Sequence, residues 1–590
     1  MSLLNKLISK LFTGKKTKKI EEFDKKLVFK LSKKGLPKPK QVKYIFSVLT
    51  KKERLIISLL LGLIVASSLF LGIRSYFTHS KVYPKEGGNY TEGLIGQPTF
   101  INPVLCFNEV DKDISSLIFP GLLKYDSKNN LSTEIAQSYQ ISSDKKTYIF
   151  KLKKDIHWTD GERLTSQDII FTINLIKNEK IHSPLYSIFK DIKVEAIDDY
   201  TIKFTLSKPY TPFSSLLTFG FLPKHIWEKI PLEKFSTSKY NLQPIGYGPF
   251  EFQSLVKGEN GKIKIYSLKK NKKYFRQPLL DNITFKFFST PEEAFWSLRN
   301  KNIDGFVYHY HDWPEEIENS KSIKKHIFYL SQYIAIFLNQ NDSLLKNFPI
   351  RQALSLAINK NELNQKLLNG NGKIINGPFP IKNFDNESGI GNFDLNKANS
   401  ILEKEGWRKN NQNIREKNKK HLKITLTTIE EGDYPKVAEY IKKSWEKIGI
   451  ETKIELIPSQ EIFKKIIQEK NYQALLYGII TGYDVDPYPV WHSSQIKDSG
   501  LNFSFFSSRK ADKLLSEARI TLNNEEREKR YKEFQKILEE RIPAIFLYSP
   551  PYYYFLNEKV RGIDFKQIAL PSDRFVYINK WSVRIKRKIK

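Results

Sequence analysis

The sequence predicts a mixed α/β protein of several lobes, held behind a single membrane-spanning helix. Three observations lead there. Residues 55–73 form a 19-residue stretch without a charge. Beyond it, strand and helix patterns alternate to the C-terminus. The composition, 40% hydrophobic, 27% charged and 13% aromatic over 590 residues, can fill large cores and excludes collagen, coiled coil and global disorder. At roughly 100–200 residues per domain, the length corresponds to about three to five compact units.

The uncharged stretch runs LIISLLLGLIVASSLFLGI between Arg54 and Arg74. As a helix it covers about 28 Å, close to the roughly 30 Å hydrocarbon core of a bilayer. Only Ser58, Ser67 and Ser68 interrupt its apolar surface, so it lacks the polar stripe of a soluble helix. It is longer than a signal-peptide core and starts late, which predicts an uncleaved anchor. Residues 1–54 carry 17 Lys/Arg against 4 Asp/Glu. The positive-inside rule therefore keeps them in the cytoplasm and exports everything from about residue 75. Their short apolar runs, Leu27 to Phe29 and Tyr44 to Phe46, suit either an interfacial helix on anionic lipid or a solvated tail.

The net charge of +33 raises nucleic acid as a partner. The basic residues outside the first segment are spread evenly without an arginine-rich stripe, so no nucleic acid is expected. A single cysteine, Cys106, excludes an internal disulfide framework and a cysteine-rich zinc site.

In the exported part, Tyr200, Ile202, Phe204 and Leu206 fall on one face of a strand. Leu422 to Leu426 reads as a strand, followed by a helix near 435–448 whose Val437, Ile441, Trp445 and Ile448 share a face, then Gly449 and a second strand at 451–457. That is a βαβ unit with a parallel strand pair. Thr165 with Asp168, and Thr290 with Glu293, mark helix starts; Gly406 marks the end of a helix from about Asn396. Residues 523–541 form a charged helix before Pro543, and Ala544 to Tyr548 is an apolar strand returning to a sheet begun much earlier.

No metalloprotease, nucleophile-elbow or Walker motif occurs. Gly258-Glu-Asn-Gly-Lys262 is half of a phosphate loop with Ile263 in place of the magnesium-binding hydroxyl, and reads as a hairpin turn. His309-Tyr-His311-Asp312 has metal-ligand types but no third ligand, so it reads as a polar-aromatic loop. His225 reads as a structural partner rather than a base. No metal, cofactor or catalytic residue is expected. Aromatics beside turns and acids, among them Trp158, Tyr308, Tyr310, Trp313, Tyr483, Tyr488, Trp491 and 552–555, suit capture of a partly apolar solute.

Several blocks in order resemble the family 5 extracellular solute-binding proteins, the peptide- and nickel-type receptors of ABC importers. They are Gly96-Gln-Pro-Thr-Phe-Ile-Asn-Pro103, Glu134-Ile-Ala-Gln-Ser138, the run from Tyr148 through Trp158-Thr-Asp-Gly161 to Thr172, Pro244-Ile-Gly-Tyr-Gly-Pro-Phe250, Ile350 to Asn359, and Asp484-Val-Asp-Pro-Tyr-Pro-Val-Trp-His-Ser-Ser-Gln495. The resemblance covers about 90–590. It implies a two-lobed periplasmic-binding-protein-like fold of type II with an extra insert, closing over ligand by a hinge. On this reading 1–54 is the cytoplasmic segment, 55–73 the span and 74–87 a linker. Lobe I comprises 88–128, 242–308 and 545–590, with 129–241 its insert. Lobe II is 309–544, with the hinge near 309–330.

The resemblance also implies a peptide or similar solute and ABC permease subunits as partners, for a monomeric receptor. In family members an aspartate four residues before the proline of the Asp-Pro step meets the peptide amine. Here that position is Tyr483; Asp484 follows it, and Asp486 directly precedes Pro487. Either a bulge brings Asp484 into place or the ligand is not an ordinary peptide. The ligand-binding residues expected are Asp484 and Trp491, then Asp486, Tyr483, Phe100, Asn102, Tyr308 and Trp313. A solute-sensing or envelope-interaction role on the same fold is the alternative, motivated by the basic N-terminal segment. A hydrolase would need a titratable residue that nothing in the sequence nominates.

Overall fold

The computed structural model describes residues 49–126, 130–309, 313–380, 392–458, 461–497, 500–563 and 567–589. The chain divides into two compact units, Met1–Tyr83 with Lys586–Lys590, and Pro84–Ile585.

In the first unit the uncharged stretch lies inside a 29-residue helix, Lys51–His79, none of whose residues is buried. Its length and composition suffice to cross a bilayer. A capping box starts it: Thr50 Oγ1 accepts from the Glu53 N–H, and Glu53 Oε2 accepts from the Thr50 N–H at 2.9 Å. The expected linker at 74–87 is instead ordered. The helix continues to His79, and the strand Ser80–Lys85 pairs with the C-terminal strand Arg584–Ile589. No glycine or proline interrupts 74–79, so the helix has no reason to stop at the last apolar residue.

The three widest sheets among the described residues lie in the second unit. An eight-stranded sheet runs in the order Gln567–Ile568, Ile323–Leu330, Pro551–Asn557, Gly305–Tyr308, Asn89–Ile95, Asn282–Phe288, Ile263–Lys270, Phe250–Lys257. A six-stranded sheet runs Lys373–Ile374, Ala544–Ser549, Gln332–Leu338, Ala474–Ile480, Lys423–Ile429, Glu451–Ile457. A four-stranded antiparallel sheet, Ala136–Ile141, Thr147–Leu152, Thr201–Thr205 and Lys193–Asp198, falls within 129–241 and shares one buried cluster with the eight-stranded sheet.

Local patterning accounts for most of these elements. Lys423–Ile429 and Glu451–Ile457 pair in parallel, joined by the helix Tyr434–Glu446, which buries Val437, Ala438, Ile441 and Trp445. Gly449 closes that helix at φ +82°, a conformation L side chains resist. Along Gln332–Leu338, Ile334, Ile336 and Leu338 face one core while Tyr333, Ala335 and Phe337 face another. A strand buried on both sides must read as a continuous apolar run. Ile202 and Phe204 are buried in Thr201–Thr205 as the alternation requires. Gly258 to Lys262 joins two antiparallel strands as a turn.

The chain passes between the two large sheets at two adjacent places. Ile323–Leu330 pairs with Pro551–Asn557 in the eight-stranded sheet, and Ser331 leads straight into Gln332–Leu338 of the six-stranded one. On the return, Ala544–Ser549 belongs to the six-stranded sheet and Pro551–Asn557 to the eight-stranded one. These pairings move the boundaries expected at 309 and 545. Seven antiparallel partners hold 323–329 against 551–557, so that stretch is sheet rather than hinge. The apolar strand at 544–549 bonds to Gln332–Leu338 because its fully buried sequence needs cover on both faces.

Candidate functional site

A cavity of about 470 Å³ opens beside these crossovers. Its walls come mainly from four stretches of the chain. The helix Glu109–Ile118 and the segment after it contribute Lys112, Phe119 and Tyr125. Residues around 185–189 and 215–220 supply Phe189 and Phe219. Residues 481–484, which leave the strand Ala474–Ile480, face the segment 569–579. Ser331 fastens this last segment to the crossover: its backbone oxygen accepts from the Thr481 N–H at 2.7 Å, and its hydroxyl bonds Thr481 Oγ1 and the Gly482 carbonyl.

Two expected ligand residues line the cavity. The Tyr483 ring lies 4.0 Å from that of Tyr125, centroid to centroid. Burial raises both phenols, so they are neutral apolar walls with a polar tip. Asp484 also faces the cavity and meets Arg527, from the helix Asn524–Arg541, through contacts of 3.0 and 3.4 Å. Its charge is therefore compensated from within the protein.

The other expected residues lie elsewhere. Trp491 is fully enclosed in the core beneath the six-stranded sheet, among Phe337, Phe534 and Phe546. Asp486 binds Arg519 at 2.8 Å, accepts from the Tyr210 hydroxyl at 3.3 Å and caps the turn through the Tyr488 N–H. Asn102 is buried, with its amide on Asn241 and its Oδ1 on the Val104 N–H. Phe100 is half-buried outside the cavity wall. Tyr308 packs with Phe295 and Phe306, and Trp313 packs on Tyr553 and Phe555 while donating to Glu318. Trp491, Tyr308 and Trp313 thus complete local cores, Asn102 ties buried backbone, and Asp486 is held in an ion pair and turn cap. Of the His309–Asp312 cluster, His309 bonds Glu109 at 3.3 Å and the rest lies outside the described residues. Among the described residues, no group of three metal-ligating side chains converges.

Three features in or behind the wall escaped the sequence reading. Glu134, nearly buried, holds Lys124 at 2.9 Å and Arg276 at 3.1 Å and accepts from the Tyr274 hydroxyl. Arg527 carries no local signal distinguishing it from its charged helix neighbours. Asp573 accepts from the N–H groups of Ala569 and Leu570 at 3.1 and 2.8 Å. Burial, opposed by those two donors and the Tyr483 hydroxyl, pushes its carboxyl up to about 6.

Because the folded value lies above the ordinary 3.8, the native state holds this proton where the unfolded chain has lost it. The contribution is complete below about pH 4 and disappears as pH rises through about 6. Asp573→Asn is expected to flatten the part of the stability profile between pH 4.5 and 7.5 that this group causes, measured by denaturant unfolding at each pH. An unchanged profile would assign the slope to other groups.

Two α/β sheet assemblies joined by paired crossovers, with a part-aromatic cavity beside the joint, make a solute-binding fold. The chain belongs to the bacterial extracellular solute-binding proteins, family 5: the model described as "Bacterial extracellular solute-binding proteins, family 5 Middle" matches residues 130–500. Members of this family bind solutes and are not enzymes. The oligopeptide-binding protein AppA of Bacillus subtilis is 28% identical over 549 residues, covering 90% of this chain and 98% of that one. Its structure with a nonapeptide superposes with a TM-score of 0.70 at 27% identity, over 85% of this chain and 100% of that one. NikZ from Campylobacter jejuni, solved with Ni(L-His), gives a TM-score of 0.69 at 28% identity, over 84% and 99%.

Proposed function

We propose that this protein is the membrane-anchored, monomeric solute receptor of an ABC importer, and that it captures oligopeptides or similar solutes outside the cell. The observation that carries the reading is the cavity at the crossovers. Its 470 Å³ lies within the roughly 300–1,000 Å³ of small-molecule pockets, and its walls combine aromatic faces with a few fixed charges. The likeness to a nonapeptide complex supports peptide as the solute class. On this reading the eight-stranded sheet with its insert is one lobe and the six-stranded sheet the other, bending at Ser331 and at 549–551. The helix Lys51–His79 is the anchor, with the basic N-terminal segment inside the cell.

The test is titration calorimetry of the full chain in detergent against peptides of graded length. Binding of at least one peptide class is expected; no heat at any length would overturn the reading. Tyr483→Ala, which opens the wall against Tyr125, is expected to weaken that binding by roughly tenfold. An unaltered affinity would place the peptide away from this wall.

A further inference from the structure

We infer that the two-stranded sheet at the C-terminal end of the apolar helix is a binding surface for anionic phospholipid headgroups. This rests on the helix being a membrane anchor. The helix passes directly into the strand Ser80–Lys85, whose partner is the C-terminal strand Arg584–Ile589. At 1.5 Å per residue, Ser80 sits about 10 Å beyond Ile73, the last residue of the apolar run. That is the outer edge of the headgroup layer and within about a Debye length of it.

Within the first unit the two strands carry Lys81, Lys586, Arg587 and Lys588 and no carboxylate. All but Arg587 are exposed. Interleaved with them, Val82 and Tyr83 are exposed too. Cations alternating with apolar side chains suit an interface where stems and rings enter the lipid boundary and charged ends meet phosphate. The strand is also fastened to the helix: the Arg587 guanidinium lies 4.6 Å from the Phe77 ring centre, and its Nη1 donates to Ser80 Oγ at 3.3 Å. Tyr76 and Phe77 form the aromatic belt at the same level. The basic strand is thus returned to the membrane surface.

The test places the full chain in nanodiscs of phosphatidylcholine, with or without about a third phosphatidylglycerol, and follows hydrogen exchange of residues 80–85 and 584–589. Exchange on the order of tenfold slower in the anionic discs is expected, with the difference lost in high salt. Lys586→Glu/Lys588→Glu is expected to abolish it, and the milder Lys81→Gln/Lys588→Gln to reduce it. Equal exchange in both lipids would overturn the inference. So would equal protection by inorganic phosphate in the neutral discs, which would indicate a simple anion site. Carbonate extraction separates the two readings. A chain that washes off the membrane ends both, whereas a chain that resists extraction but ignores lipid charge ends this one alone.

Discussion

Arg574→Leu is expected to lower the unfolding free energy by about 3–5 kcal/mol, the usual consequence of removing one partner from a buried ion cluster. Arg574 is almost wholly buried and bonds Asp113 at 2.8 and 2.5 Å and Glu92 at 3.1 and 3.0 Å. Tyr554 donates to the other Glu92 oxygen at 2.8 Å, and Tyr90 donates to it as well. Gly305 makes room for this group, since a Cβ there would overlap the Tyr90 hydroxyl. Burial pushes the Asp113 carboxyl up to about 6 even with the guanidinium present, and raises Glu92 against the same neighbour. Without Arg574, two carboxylates would face each other in a dry core. Denaturant unfolding checks the loss. Arg574→Lys should recover only part of it, because an ammonium cannot serve both acids with a planar fork. Adding Glu92→Gln and Asp113→Asn to Arg574→Leu should recover more. A variant as stable as the parent would mean that the cluster contributes nothing.

Trp491→Ala is expected to cost about 3–5 kcal/mol through the cavity it leaves. The indole is 0% exposed, with ring centres of Phe546, Phe337 and Phe534 at 5.7, 5.8 and 6.5 Å. Peptide affinity of the folded fraction is expected to stay at the parent value, because the ring does not reach the cavity wall. A large loss of affinity at parental stability would reverse that assignment.

Trp491 and Tyr483 illustrate what the sequence made legible. Both lie in the same aromatic, acidic stretch, eight residues apart, and composition rates them alike. What separates them is the end of the strand Ala474–Ile480, which delivers Tyr483 to the cavity, and the short helix Tyr488–Trp491, which turns the indole into the core. Period and capping signals located the βαβ unit at 423–457 and the helix after Thr165 because those depend on neighbours in the chain. The crossover at Ser331 was displaced because strand membership at 323–330 is decided by residues 551–557, more than two hundred positions away. The Glu134 and Asp573 contacts escaped for the same reason. Their partners Arg276 and Tyr483 are distant, and a lone carboxylate carries no mark of what it will face.

Asp573 and Arg574 are consecutive, yet one borders the cavity and the other anchors the buried charge cluster. Descendants of this chain cannot retune the chamber at position 573 by shifting its backbone without dragging the guanidinium off its acids. If the cavity holds the cargo, divergence in preference is therefore channelled toward side-chain exchange at lining positions such as Phe189 and Phe219, which take no part in the cluster.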